Sequence, residues 1–261
     1  MTTQTSDSYS IKNHNRMAGK RVLITGGTSG IGLAAAELML QQGAQVAITG
    51  ITPESLENAC KTLPAARIYA SESGSIQEQK RLAEKIKQDF GQLDALVLNA
   101  GMGIWHSLED WTEADFDRQM SVNFKGPFFL LQALRPLLSN PASVVITTSI
   151  AAHRGLLGAP IYGASKAALL AVMRGLTTEL AADGIRINAI SPGPVNTPIL
   201  YKQGMDGDKF HEQFTPLLPV QRFAEAIEIA QAILFLASDE SSYLYGSDIV
   251  VDGGLMATFP G

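Results

Sequence analysis

The stretch "RVLITGGTSGIGLAAAELMLQQG", residues 21–43, decides how this chain folds. Val22, Leu23 and Ile24 make a short aliphatic run that stops at glycine, the pattern of a buried strand. "GLAAAELMLQQG" reads as a helix closed by Gly43. Between them lies "TGGTSGIG", residues 25–32, so a strand runs through a glycine turn into a helix. Spaced as they are, Gly26, Gly30 and Gly32 permit a tight turn, close approach of a pyrophosphate, and close contact of helix with strand. The helix start offers unpaired N–H groups and the positive end of a dipole to an anion, with Thr28, Ser29 and Ile31 as neighbours in the turn. An ordinary tight turn is the plainer reading of the same glycines.

The rhythm continues along the chain. "QVAITG" is a second strand, "PESLENACKTL" a helix opened by Pro53, and "RIYAS" a third strand. "IQEQKRLAEKIKQDFG" is an amphipathic helix stopped by Gly91, and "LDALVLNAG" a fourth strand. A helix is expected over 113–138, then a fifth strand in "SVVITTS" and a long helix around Tyr162. "IRINAISPG" is a sixth strand, "EAIEIAQAILFLAS" a helix, and "DIVVDGG" the last strand. This alternation predicts an α/β fold, one parallel sheet with helices on both faces. Strands rich in Val, Ile and Leu suit burial on both sides. No linker divides the chain, so 19–261 reads as one domain behind a flexible, polar tail at 1–18. Residues 192–222 are the long irregular stretch, carrying Tyr201, Met205, Phe210, Phe214 and Leu217, and are expected to form a substrate lid.

Of 261 residues, 46% are apolar and 17% charged, which describes a packed globule rather than a disordered chain. The net charge of -5 is spread out and no basic stripe appears, which argues against a nucleic-acid partner. No apolar run reaches membrane-spanning length and the start lacks a signal peptide's apolar segment, so a cytoplasmic protein with no membrane partner is expected. The single cysteine, Cys60, excludes an intrachain disulfide and is expected to pack inside a helix contact. His14, His106, His153 and His211 are scattered without metal-ligand spacing, so no metal is expected.

Two further stretches carry chemistry. "LVLNAG" ends the fourth strand in Asn99, Ala100 and Gly101, where carboxyl ends of strands gather ligands. Asn99 either ties a strand end or lines a groove there. In "IYGASKAAL", residues 161–169, Tyr162 and Lys166 share a helix face. A free phenol titrates near ~10, and an ammonium beside it favours the phenolate. Such a pair suits proton exchange with a substrate oxygen, although alone it is also an ordinary surface pair. Trp105 and His106, behind "NAGMG", and His153, behind Ser149, are candidates for a substrate pocket or for packing, and Tyr201 is a further candidate from the lid.

"TGGTSGIG", "NAG", Ser149 and "YGASK" stand in the order and spacing of the short-chain dehydrogenase/reductase family, which the chain resembles over about residues 20–254. Asn123 in "SVNFKGPF" matches the family's helix asparagine. "SPGPVNTP", residues 191–198, with Pro192, Gly193, Val195 and Thr197, resembles the segment that embraces the nicotinamide. The resemblance implies a Rossmann-type doubly wound sheet of about seven parallel strands, a nicotinamide cofactor, and a homo-tetramer or homo-dimer. It implies hydride transfer between NAD(P)(H) and a small-molecule ketone or secondary alcohol. Tyr162 would be general acid in reduction and general base in oxidation. Lys166 would bond the nicotinamide ribose, Ser149 the substrate oxygen, and Asn123 a water leading from Lys166 to solvent. A non-catalytic nucleotide sensor or interaction protein on the same fold is the alternative; an epimerase or dehydratase is a third.

The chain departs from the family after the second strand. Gly50 stands where NAD enzymes carry Asp, and Ile51 where many NADP enzymes carry Arg. Ser29 is not basic either, leaving Thr49 and Thr52 to bond a ribose hydroxyl or a phosphate. Without an acid nothing repels a 2′-phosphate, so NADP(H) is favoured over NAD(H), with dual use open. Ser71, followed by Glu72, replaces the family's adenine-contacting Asp.

Overall fold

Strand β1 (Arg21–Ile24) sets the layering. Successive side chains point to opposite faces: Val22 and Ile24 enter one apolar layer, Leu23 the other. The computed structural model describes residues 15–201 and 206–258. After β1 come α1 (Gly30–Gln41), β2 (Gln45–Gly50), α2 (Pro53–Thr62), β3 (Arg67–Ala70), α3 (Ile76–Phe90) and β4 (Leu93–Leu98). Then follow α4 (Glu113–Met120), α5 (Gly126–Leu134), β5 (Leu138–Thr147), α6 (Pro160–Ala182) and β6 (Ile185–Pro192). The rest comprises β7 (Val195–Asn196), α7 (Gly207–Phe214), β8 (Ala224–Glu225), α8 (Ala226–Ala237) and β9 (Asp248–Val251).

Seven strands form one sheet in the order β3-β2-β1-β4-β5-β6-β9, every pairing parallel. On one face Ala35 and Met39 of α1 and Ile229 and Ile233 of α8 close over Val22, Ile24 and Val97. On the other, Leu82 of α3, Leu134 of α5 and Met173 of α6 close over Leu23, Leu96 and Ile187. Each such Val, Leu, Ile or Met side chain, removed from water, contributes about 1.5–3 kcal/mol before entropy is counted. The fold is therefore the doubly wound sheet expected. The Thr52, Ser75 and Thr112 hydroxyls accept backbone N–H bonds that start α2, α3 and α4.

Five expectations need correction. The helix expected over 113–138 is interrupted by a π-helical turn, Ser121–Lys125, between α4 and α5. Pro127 is the physical reason: it has no N–H for the carbonyl of Asn123, four residues back. The fifth strand begins earlier than Ser143, at Leu138, with a register shift against β4 between Leu93 and Ala95. The irregular stretch at 192–222 contains α7 and β7, which pairs with β8 just beyond it. Finally, Met17 is fully buried and its N–H donates to the Gln42 carbonyl, so the chain is anchored at Met17, inside the expected tail. The remainder of that tail (1–14, with His14), Met205 of the expected lid and residues 259–261 lie outside the described residues. Cys60, expected in a helix contact, is exposed. Among the described residues no helix is long and apolar enough to cross a membrane.

Candidate active site

Strand order reverses between β1 and β4, and their carboxyl ends part there to leave a crevice. Thr25, just after β1, knits its edges: its Oγ1 accepts from the N–H of Asn99 and of Ala100, both at 3.0 Å. Asn99 Nδ2 donates to the carbonyls of Thr25 (3.1 Å) and Gly26 (3.3 Å), and Asn99 also lines the crevice, so both of its sequence readings hold. Gly26 has φ +65°, and a Cβ there would stand 2.9 Å from Ala100 Cα. A Cβ on Gly32 would strike the Gly26 carbonyl; Gly32 serves close packing and does not line the crevice.

The crevice has a volume of about 500 Å³. Gly26, Thr28, Ser29, Gly30 and Ile31 line it at the glycine turn, and Thr49 and Thr52 beside β2. Asn99, Ala100 and Gly101 form its floor, and Ser149, Tyr162 and Lys166 lie along the same space. Pro192, Gly193, Val195 and Thr197 close it from the end of β6.

Tyr162 and Lys166 lie one turn apart on α6, with Lys166 Nζ 5.8 Å from the phenol ring centroid. Lys166 is 3% exposed, and Nζ donates to the Thr147 carbonyl at 2.9 Å. Burial pushes its pKa down to about 8. Burial also pushes the Tyr162 phenol up, opposed by a hydrogen bond with Ser149. This corrects the expectation of a phenol held below its ordinary value: desolvation dominates. Ser149 opens a 3₁₀ turn, Ile150–Ala152, and accepts the Ala151 N–H at 3.1 Å. Asn123 is fully buried and does not line the crevice. Its Oδ1 accepts from Met102 N–H (2.8 Å), and its Nδ2 donates to the Met102 carbonyl (2.8 Å) and Ser165 Oγ (3.1 Å). Its side chain is thus a brace, while its carbonyl lacks the helical donor that Pro127 cannot supply. A Cβ on Gly101 would stand 3.2 Å from Lys166 Nζ and 3.5 Å from Asn123 Oδ1, so this glycine makes room for both.

The other end is neutral where a charge was sought. Thr49 Oγ1 accepts the Gly26 N–H at 3.1 Å, and Thr52 Oγ1 the Ser55 N–H at 3.2 Å. Both threonines therefore already hold backbone. A Cβ on Gly50 would run into Thr28 Cγ2 and stand 3.1 Å from Leu56 Cδ2. Among the described residues the cations lining the crevice are Lys166 and Arg118, and its carboxylate is Glu72. Arg118 carried no sequence signal; its place follows from α4 flanking the crevice.

His106, His153 and Tyr201, the residues expected at a substrate pocket, are not among those lining the crevice. His106 Nε2 lies 3.4 Å from Asp115, His153 Nε2 2.7 Å from Asp248, and Tyr201 is 60% exposed. The walls near Ser149 are apolar instead: Trp105, Ile150, Leu156, Ile199, Phe210 and Phe214. The Trp105 and Tyr162 rings lie 5.5 Å apart. Phe210 and Phe214 belong to the expected lid; Ile150, Leu156 and Ile199 were missed, being single apolar residues in turns. No group of three or more His, Cys, Asp or Glu among the described residues could hold a metal.

These residues fit a nicotinamide nucleotide. Thr147 Oγ1 is buried without a partner, Lys166 Nζ has one acceptor for three N–H bonds, and glycines leave room beside both ends. The family profile described as "Enoyl-(Acyl carrier protein) reductase" matches residues 26–256. This chain belongs to the short-chain dehydrogenase/reductase family. Within that family it is 38% identical to the 3-oxoacyl-(acyl-carrier-protein) reductase FabG of Thermotoga maritima, over 92% of this chain and 99% of that one. It is 36% identical to the glucose 1-dehydrogenase of Gluconobacter oxydans, over 92% and 93%. The solved structure of a short-chain dehydrogenase from Burkholderia cenocepacia in complex with NADP superposes with a TM-score of 0.85. That pair is 31% identical and covers 93% of this chain and 100% of the other. The protein is an NAD(P)-dependent oxidoreductase of this family, acting on CH–OH and C=O groups.

Proposed function

We propose that this oxidoreductase reversibly interconverts a ketone of apolar body and its secondary alcohol, with Tyr162 exchanging the proton and NADP(H) as the favoured cofactor. The observation that carries this reading is one crevice holding Ser149, Tyr162 and Lys166 against the apolar walls of Trp105, Ile150, Leu156 and Phe214. A bound reduced nicotinamide supplies the hydride. Tyr162, kept protonated by burial, gives its proton to the substrate oxygen. Ser149 donates a hydrogen bond to that oxygen as charge develops. Lys166, with two N–H bonds to spare, holds ribose hydroxyls, and with a pKa near 8 it relays protons to the phenol. The carbonyl of Asn123, to which Pro127 has no N–H to give, takes the water that links Lys166 to solvent. In the oxidative direction Tyr162 must start ionised, and the charge of Lys166 offsets part of the burial cost.

Walls of this kind offer few partners to the hydroxyls of a sugar, which disfavours a polyol. The crowding at Gly50 supports NADP(H), because an acid there has no room unless Thr28 turns. The lid at 192–222 and a homo-tetramer or homo-dimer belong to the same reading; a shallow hollow at Phe124, Phe128 and Phe129 supports association.

Titration of tryptophan fluorescence with NADPH and with NADH tests the cofactor, and nicotinamide absorbance with cyclohexanone, acetophenone and, in reverse, glucose tests the substrate. Tighter binding of NADPH, turnover of the ketones and none of glucose are expected. Tight binding with no turnover, unaltered by Tyr162→Phe, would establish the sensor alternative instead.

A further inference from the structure

The turn that presents Ser149 is fastened from beneath by side chains that play no part in the chemistry above. Thr148, one residue before Ser149, gives its N–H to the Ile190 carbonyl at 2.8 Å. Its Oγ1 lies 2.8 Å from the same carbonyl and 2.6 Å from Ser191 Oγ. Ser191, fully buried on β6, donates to the carboxylate of Asp248 on β9 at 2.8 and 2.9 Å. His153, at the other end of the turn, has Nε2 2.7 Å from the same carboxylate and 3.3 Å from Ser191 Oγ. A carboxylate only accepts, so His153 Nε2 carries the proton here. The Asp248 side chain is 10% exposed and that of His153 26%.

This is not a nucleophilic triad. One imidazole nitrogen meets both Ser191 and Asp248, and Ser191 Oγ has no path to a substrate. What the cluster does is clamp. Ser149 and His153 bracket the single turn Ile150–Ala152, closed by Ala152 N–H to the Ser149 carbonyl at 2.9 Å. Thr148 ties its front to β6, and His153 ties its back to β9. The turn also rests on α6: a Cβ on Gly163, next to Tyr162, would stand 2.7 Å from the Ala151 carbonyl. With that contact tight on one side, the position of Ser149 against Tyr162 depends on what holds the turn on the other.

We propose that Asp248, acting through His153 and Ser191, is a positioning residue that holds Ser149 in register with the Tyr162 phenol. The proposal rests on the catalytic reading of Ser149. Its consequence is thermodynamic coupling: removing Asp248 costs turnover only while Ser149 is there to be misplaced.

The test is a double-mutant cycle in the full-length protein, using Ser149→Ala, Asp248→Ala and the pair, with NADPH and cyclohexanone. Asp248→Ala is expected to lower kcat about tenfold, a typical loss for a misplaced group, with the NADPH dissociation constant within twofold. In the Ser149→Ala background the same change should lower kcat less than twofold. Equal losses in both backgrounds overturn the proposal, as does an unchanged kcat in Asp248→Ala. An unchanged kcat in Ser149→Ala alone would instead overturn the catalytic reading. If Asp248→Ala does not fold, His153 at the rim carries the test: His153→Gln, which keeps a donor, should retain kcat and His153→Phe should lose it. Equal activity of those two overturns the proposal. A readout free of substrate is the ultraviolet titration of the cofactor-free protein, taken as a difference from its Tyr162→Phe counterpart. Loss of the clamp moves the Ser149 hydroxyl relative to the phenol, so the midpoint should shift in His153→Phe and stay in His153→Gln.

Discussion

Two buried cations, Lys166 on α6 and Arg186 on β6, make different use of nearly the same burial. Lys166 is 3% exposed and Arg186 6%, and neither has a carboxylate within ion-pair distance among the described residues. Burial pulls both pKa values down. Arg186, however, is met by three acceptors: the Leu236 carbonyl at 3.2 Å, Ser241 Oγ at 2.8 Å and the Ser238 carbonyl at 2.9 Å. These sit at the end of α8, where carbonyls lack helical partners and the dipole favours a cation. Lys166 has the Thr147 carbonyl alone. A satisfied buried cation holds a helix to a sheet; an unsatisfied one facing a crevice is held in reserve for a ligand.

The sharpest way to break this comparison is to remove the charge at each place. Lys166→Met should lower turnover roughly 10³-fold, in the range for loss of an acid–base group. The cofactor-free protein should nonetheless become more stable by about 1–3 kcal/mol, since a penalised charge is gone and an apolar stem remains. Denaturant unfolding beside steady-state kinetics measures both. A less stable Lys166→Met would mean that the ammonium is satisfied after all. Arg186→Met should do the reverse. It removes the three hydrogen bonds that a charged donor gives to the end of α8, at about 3 kcal/mol in total, while turnover per folded molecule stays within twofold. A large loss of turnover there would erase the distinction between scaffold and site.

The two regions also differ in how far the sequence discloses them. The glycine turn, the alternating strands and the Tyr162–Lys166 spacing are properties of a few consecutive residues, so periodicity and sterics reveal them. Arg186 and its acceptors lie 50 to 55 positions apart, and His153 and Asp248 are 95 apart. No local pattern announces which strand will run beside which. For the same reason His106 and His153 looked like pocket residues: the carboxylates that occupy them come from other segments. The break between α4 and α5 was legible in principle, because Pro127 stands four residues after Asn123. The neutral end by Gly50 was read correctly as lacking both charges, but the crowding of Thr28 against it is tertiary.

The smallest expected effect isolates Lys166 without changing turnover conditions at all. Its folded pKa is about 8 against an unfolded value of 10.5. Below pH 8 both states carry the proton and the folded state bears the full desolvation cost. Between the two values the unfolded chain binds more protons than the folded one, so stability must rise with pH. The gain is at most about 3 kcal/mol across the window, by the linkage of pKa to free energy. Other groups oppose it only near the top: Tyr162 is raised, and Tyr69, raised to about 12 by burial and Asp89, is too. An acid whose folded pKa is raised withholds its ionisation, so its contribution falls as pH climbs through the unfolded value near ~10. The window to measure is therefore pH 8 to 10, and the quantity is the stability of the natural protein minus that of Lys166→Met. That difference should become less negative as pH rises. If it is flat, Lys166 has found partners beyond the Thr147 carbonyl, and the contrast with Arg186 loses its electrostatic basis.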